Sequence, residues 1–279
     1  MREQIDRIVA QGKLDLLTDF LEGAKVEEYR YAARRVAETT EPGDLLERAA
    51  QLATDTLASK HLACQLLLST VREDPKRTFS LLQTLAQDEN WTVRDAAGEA
   101  CGRLLRKDFP TVLDRLRHWQ EHRSPSVRRA VITASVRAAH PRHLERAEPL
   151  LKLLEPLLSD GDEPLRRALG PSALAMHLLR HYPTMTFEYL VKWSTSNDPQ
   201  VLWNVAMAFT GQPAAPLAKK ALIVLRKLSL DERRYVWRAV SSAMWRLGRK
   251  RPEIVRPELV RWLEDERRVD VAREALKHL

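Results

Sequence analysis

One short pattern, an aliphatic residue followed three and four places later by small or apolar ones, recurs along this chain and constrains its fold more than any other feature. It reads VRDAAGEA at 93–100, VRRAVITA at 127–134, LRRALGPSA at 165–173, VLWNVAMAF at 201–209, VWRAVSSAM at 236–244 and VAREALKHL at 271–279. Weaker copies start at Tyr29 and Lys60. The anchors at 29, 60, 93, 127, 165, 201, 236 and 271 are separated by 31, 33, 34, 38, 36, 35 and 35 residues. Units of that length hold two helices and two turns, and each buries its apolar face only against its neighbours.

Between the anchors lie amphipathic partners such as FPTVLDRLRHWQEH, HLERAEPLLKLLEPLLS, TFEYLVKWST, PAAPLAKKALIVLRKLS and PEIVRPELVRWLED, apolar at intervals of three and four. Pro110, Pro141, Pro183 and Pro252 fall between periodic runs, where proline ends one helix or opens the next. No stretch alternates as a strand does. The openings ENWTVRD and DERRYVWR resemble those of HEAT/armadillo-like repeats. The expected fold is therefore all-α, about seven helical hairpins and a closing helix stacked as a right-handed solenoid, one curved domain over residues 1–279.

Composition narrows the function. Nine glycines and 15 prolines in 279 residues, with 44% hydrophobic and 30% charged, exclude a disordered chain. Cys64 and Cys101 are too few for a disulfide framework or a structural zinc site. No window approaches the roughly 18 apolar residues of a membrane span, and the start lacks an apolar stretch of signal-peptide length. A soluble, cytoplasmic protein that keeps no membrane contact is expected. The net charge of +8 is unevenly spread: 91–140 holds ten basic and five acidic residues, and 219–256 twelve and three.

In repeats of this type the two positions after each anchor point toward the inner, concave surface. The first gives Arg94, Arg128, Arg166, Leu202, Trp237 and Ala272; the second gives Asp95, Arg129, Arg167, Trp203, Arg238 and Arg273. A basic stripe bearing tryptophan suits a phosphate backbone, because cationic contacts release counterions. The same arginines equally suit ion pairs between repeats. Trp91 and Asp95, four apart, share one helix face, and the plain alternative there has Asn90 capping the helix, Trp91 covering the preceding repeat and Asp95 pairing with Arg129.

The stretch ENWTVRDAAGEACGRLLRKDFPTVLDRLRHWQEHRSPSVRRAV resembles the central part of bacterial DNA alkylation repair glycosylases of the AlkD and AlkC type. The matching positions are Trp91, Asp95, Phe109-Pro110, Trp119 and Arg129, over about 45 residues. The resemblance implies hydrolysis of the N-glycosidic bond of a purine alkylated at N3 or N7, with no cofactor. It implies that Asp95 stabilises the oxocarbenium-like sugar, that Trp91 stacks on the sugar, and that Arg129 holds a phosphate. Where the family has a further aromatic, this chain offers Pro171 or Ser172; Trp203 or Trp237 are the candidates to replace it.

Other motifs have plainer readings. His118-Trp119-Gln120-Glu121-His122 matches an inverted zinc-protease signature but has no third ligand in register, and His177 and His181 repeat the spacing only. No metal site is expected. Trp193, Trp245 and Trp262 read as packing, and Arg246, Arg249, Lys250 and Arg251 as complements to a helix dipole. Phosphate-cradling glycine motifs are absent. The leading expectation is a monomeric glycosylase acting on duplex DNA with alkylated bases. The alternatives are a non-catalytic scaffold that binds an acidic protein segment, and a DNA-binding relative without the chemistry.

Overall fold

The computed structural model describes residues 1–279, and every regular element in it is helical. The chain forms two compact units, 1–137 and 138–279. None of its helices is long and apolar enough to cross a membrane.

The first unit contains α1 (Arg2–Ala10), α2 (Leu14–Phe20), α3 (Val26–Glu38), α4 (Pro42–Leu52), α5 (Leu57–Thr70), α6 (Pro75–Leu85), α7 (Trp91–Lys107), α8 (Phe109–Trp119) and α9 (Pro125–Ala138). The anchor-bearing helices pack in sequence, α3 on α5 and α5 on α7, with α4, α6 and α8 as their partners. Helix starts follow local chemistry. Thr56 and Asn90 accept the Ser59 and Thr92 N–H groups, and prolines occupy the first turns of α4, α6 and α8. Two glycines let α7 and α9 approach closely: a Cβ on Gly102 would lie 2.5 Å from Arg137 Cβ and 3.0 Å from the Ala134 carbonyl oxygen. This approach brings Asp95 and Arg129, two turns earlier on the two helices, within bonding distance.

The second unit contains α10 (Ala147–Leu154), α11 (Glu163–Ala168), α12 (Leu179–His181), α13 (Pro183–Trp193), α14 (Pro199–Ala208), α15 (Ala218–Leu228), α16 (Arg234–Gly248), α17 (Pro252–Leu263) and α18 (Val269–Leu276). A π-helical stretch, Leu169–Leu178, joins α11 to α12. Pro171 sits in it and has no N–H for the α-helical ladder, so a wider turn relieves the mismatch. The Gly170 N–H leaves the ladder and donates to Asn204 Oδ1 at 3.1 Å, while Asn204 Nδ2 donates to the Leu158 carbonyl at 2.8 Å. A buried asparagine thus ties three elements of the unit together.

The expected anchors Val93, Val127, Leu165, Val236 and Val271 are buried. Two copies are shifted. Lys60 pairs with Asp88 at 2.8 Å, and the buried face of α5 runs through Ser59, Leu62 and Ala63. A lysine does not occupy a dry seam, so the register moves by one. On α14, Leu202 is buried and Val201 only half-buried.

Candidate active site in the first unit

Trp91 opens α7 directly after its cap. Asn90 Oδ1 accepts both the Thr92 N–H at 2.9 Å and the Thr92 hydroxyl at 2.7 Å. The indole is 63% exposed, the only tryptophan among the exposed large hydrophobic residues. One turn on, Asp95 Oδ1 accepts from Arg129 Nη2 of α9 at 3.0 Å, with both side chains part-exposed. That bond engages one carboxylate oxygen and leaves Oδ2 uncommitted. The cap and the ion pair match the plain alternative for these residues, but the uncovered indole does not.

Trp91 and Asp95 border a cavity of about 180 Å³ shared with Tyr29, His61 and Thr92. It continues into a larger hollow of about 350 Å³ that Tyr29 and His61 also line. Tyr29 is fixed by donating its hydroxyl to the Leu21 carbonyl at 2.7 Å, and its ring lies 5.5 Å from that of His61. His61 Nε2 lies 2.9 Å from Thr92 Oγ1. The Thr92 hydroxyl proton is already directed at Asn90, so the imidazole donates here, as the Nε2–H tautomer. Burial holds the His61 pKa below its ordinary value, which favours that neutral form, although Asp88 pulls the other way.

Down the same face of α7 the spacing of Trp91, Asp95, Glu99, Arg103 and Arg106 is four, four, four and three. Arg30, Arg103, Arg106 and Arg137 surround Glu99 in a pocket of about 210 Å³. Glu99 pairs with Arg137 and lies 3.8 Å from Arg30 Nη2. Burial and the nearby Arg30 depress the pKa of Arg103, which donates to Gln65 Oε1 at 2.5 Å. The cluster is four guanidiniums around one carboxylate, next to the cavity that holds Trp91.

The other expected residues are dispersed. Arg94 donates to the Asp88 and Glu89 carbonyls, both at 2.7 Å, and Arg128 to those of His122 and Arg123 at 2.8 and 3.1 Å. These two arginines perform the same task one repeat apart, holding the turn before their own helix. In the second unit Arg167 pairs with Glu163, Arg166 meets Tyr235 and Gln200, Trp203 stacks on Tyr235, Trp237 is half-buried, and Arg238 is exposed. Trp119 is buried edge-on against Phe79, at 6.2 Å between ring centroids. His118 Nδ1 meets the Asp114 carbonyl oxygen at 2.9 Å, and His122 Nδ1 accepts the Ser124 N–H at 3.0 Å.

His61, Arg103, Arg106 and Arg137 went unmarked in the sequence reading. The slipped register of α5 would have found His61, since counting from Ser59 puts it two places after the anchor, as Asp95 and Arg129 are. The arginines follow from extending the four-residue spacing beyond Asp95, and Arg103 and Arg137 each lie ten residues after an anchor.

This architecture defines a helical-repeat protein of the HEAT/armadillo-like class. Among solved structures, smu.31 from Streptococcus mutans UA159 superposes with a TM-score of 0.56 at 16% identity, covering 73% of this chain and 97% of that one. The karyopherin Kap121p, bound to the extreme C-terminus of the protein phosphatase Cdc14p, superposes at 0.54 and 14% identity, covering 95% of this chain and 33% of its own. Both likenesses concern the fold. No curated protein sequence matches. The family described as DNA alkylation repair enzyme matches residues 18–174, more than half of the chain, and the chain belongs to that family.

Proposed function

We propose that the first unit binds alkylated duplex DNA and hydrolyses the N-glycosidic bond of purines carrying an alkyl group at N3 or N7. The observation that carries this reading is the uncovered Trp91 indole one turn from Asp95, whose Oδ2 is uncommitted, at the mouth of a cavity. An alkylated purine is cationic, so it departs with the glycosidic electron pair as a neutral base without a general acid. Charge then develops on the deoxyribose, where an adjacent carboxylate is worth most. Asp95 stabilises that charge through Oδ2 and orients the water that attacks C1′, while Arg129 holds Oδ1 and fixes the carboxylate. Trp91 lies against the sugar and adds a cation–π attraction of about 0.5–2 kcal/mol.

The cluster of Arg30, Arg103, Arg106 and Arg137 takes the phosphate backbone, with Arg129 at its edge, a positioning role that carries no base information. Duplex affinity should accordingly fall steeply with salt. The protein works as a cytoplasmic monomer without a cofactor. A second reading, a non-catalytic scaffold for DNA or an acidic protein segment, draws on the Asp95–Arg129 pair, which also locks α7 to α9. The deciding experiment measures release of N3- and N7-methylpurines from methylated duplex DNA by the wild type and Asp95→Asn. Collapse of release with retained affinity is expected; a wild type that binds DNA and releases nothing overturns the excision reading.

A further inference from the structure

The second unit carries an aromatic and basic site that the excision chemistry does not use. Trp203 of α14 and Tyr235 of α16 stack with ring centroids 5.7 Å apart and planes only 10° from parallel. The pair lines an open cavity of about 430 Å³, whose rim carries Arg234 and Arg238. That volume falls within the range of small-ligand clefts, roughly 300–1,000 Å³.

The stack is held from behind. Tyr235 donates its hydroxyl to Gln200 Oε1 at 2.6 Å, and Arg166 Nη1 reaches that hydroxyl at 2.7 Å and Gln200 Oε1 at 3.2 Å. The Arg166 guanidinium also lies 5.6 Å from the Tyr235 ring centroid. Gln200 is only 8% exposed and its Nε2 has no acceptor, so this support is assembled at some cost in polar satisfaction. Arg234 and Arg238, by contrast, enter no ion pair. Glu274, close enough to Arg238 to feel its charge, is bonded by Lys277 Nζ at 2.7 Å. Two uncommitted guanidiniums therefore flank a rigid aromatic platform.

We infer that this cleft binds single-stranded DNA, one unpaired base stacking on the Trp203–Tyr235 platform while Arg234 and Arg238 hold the flanking phosphates. Base pairs in a duplex present their edges and keep their faces stacked on one another, so an aromatic platform gains only from an unpaired base. Platforms of this kind tolerate any base, and the arginines make binding salt-dependent. An acidic peptide could satisfy the guanidiniums but gives the parallel rings nothing flat to cover. The inference uses neither Asp95 nor the excision reaction.

The test is fluorescence anisotropy of the full chain with a labelled 12-nucleotide oligothymidine, the same strand with abasic sites throughout, and a 12-base-pair duplex. Trp203→Ala is expected to weaken the oligothymidine by about tenfold, within the range for loss of one stacked base. Arg234→Glu with Arg238→Glu, both on exposed positions, is expected to weaken it at least as much without disturbing the fold. Neither change should weaken the duplex comparably. Equal affinity for the abasic strand overturns the stacking claim, and unchanged oligothymidine binding in the folded arginine double variant overturns the site. If methylpurine release fails while these differences persist, the excision reading falls and this inference stands.

Discussion

The same three ingredients meet twice in this protein, with opposite consequences. On α7 a tryptophan and a carboxylate four residues apart, Trp91 and Asp95, meet an arginine from the neighbouring repeat, Arg129. On α17 Glu258 and Trp262 are likewise four apart, and Arg226 comes from α15. In the second case the carboxylate is closed in. Arg226 binds both oxygens at 2.6 and 2.8 Å, Arg261 donates to Oε2 at 2.6 Å, and the Trp262 indole N–H donates to Oε1 at 2.8 Å. The Glu258 side chain is 4% exposed and that of Asp95 40%. Coverage, more than residue type, separates a carboxylate that holds helices together from one that can meet a substrate.

The comparison breaks first on stability. Glu258→Ala leaves Arg226 and the buried Trp262 N–H without their acceptor, and removing one partner of a buried pair costs roughly 3–5 kcal/mol. Arg226 is itself nearly half-exposed, which places the loss near the lower end, at about 3 kcal/mol by urea unfolding. Asp95→Asn should cost less than about 1 kcal/mol in the same measurement, as part-exposed pairs do. A loss at Asp95 equal to that at Glu258 would mean that the two pairs are both structural.

Activity should reverse the order. Removing a group that stabilises developing charge typically lowers turnover about 10²–10³-fold. Asp95→Asn is expected to lose methylpurine release on that scale, while Glu258→Ala, assayed where it remains folded, should retain it. Comparable loss in both would tie activity to general stability and remove the special role of Asp95.

The repeat was legible because its signal is apolar and periodic: Val93, Val127, Leu165, Val236 and Val271 enter the core whatever else the helix carries. Polar positions were less legible. Lys60 sat in the pattern as an anchor although its charge keeps it out, and the slip concealed His61. Trp262 read correctly as packing, but nothing local showed that Glu258, a charged residue in the middle of the amphipathic segment PEIVRPELVRWLED, turns inward to three donors. Tyr235 precedes its anchor by one place, so its stack on Trp203 needed two helices from successive repeats in position. Arg94 and Arg128 read as groove residues because sequence spacing cannot tell a side chain that reaches outward from one that folds back on its own turn.

Acid should sharpen the contrast. The Arg226 guanidinium, with the indole N–H and further arginine charge, holds the Glu258 pKa below the usual carboxylate range despite burial. The unfolded chain therefore binds this proton first as pH falls. The stabilisation is complete above the unfolded value of about 4.3 and is lost as pH drops through the lower folded value. The stability difference between wild type and Glu258→Gln should be full at pH 7 and shrink steadily below pH 4. A difference constant down to pH 3 would show that Glu258 contributes by shape alone.

The smallest effect concerns His61 and runs through neutral pH. Burial lowers its folded pKa, so the unfolded imidazole, near 6.5, is protonated before the folded one. The neutral ring's contribution is present above that value and is lost as pH falls through it toward the folded pKa. His61→Gln can keep an N–H donor for Thr92 Oγ1 but does not titrate. Urea unfolding at pH 7.5 and 5.5 should therefore show the wild type losing stability relative to this variant at the lower pH. Because His61 also lines the cavity bordered by Trp91 and Asp95, the same protonation places a cation near the proposed site of the cationic substrate and of the positive charge that develops on its sugar. Methylpurine release by the wild type should fall across that interval more than release by His61→Gln. Parallel pH profiles for the two proteins would confine His61 to packing and leave Trp91 and Asp95 as the polar face that matters.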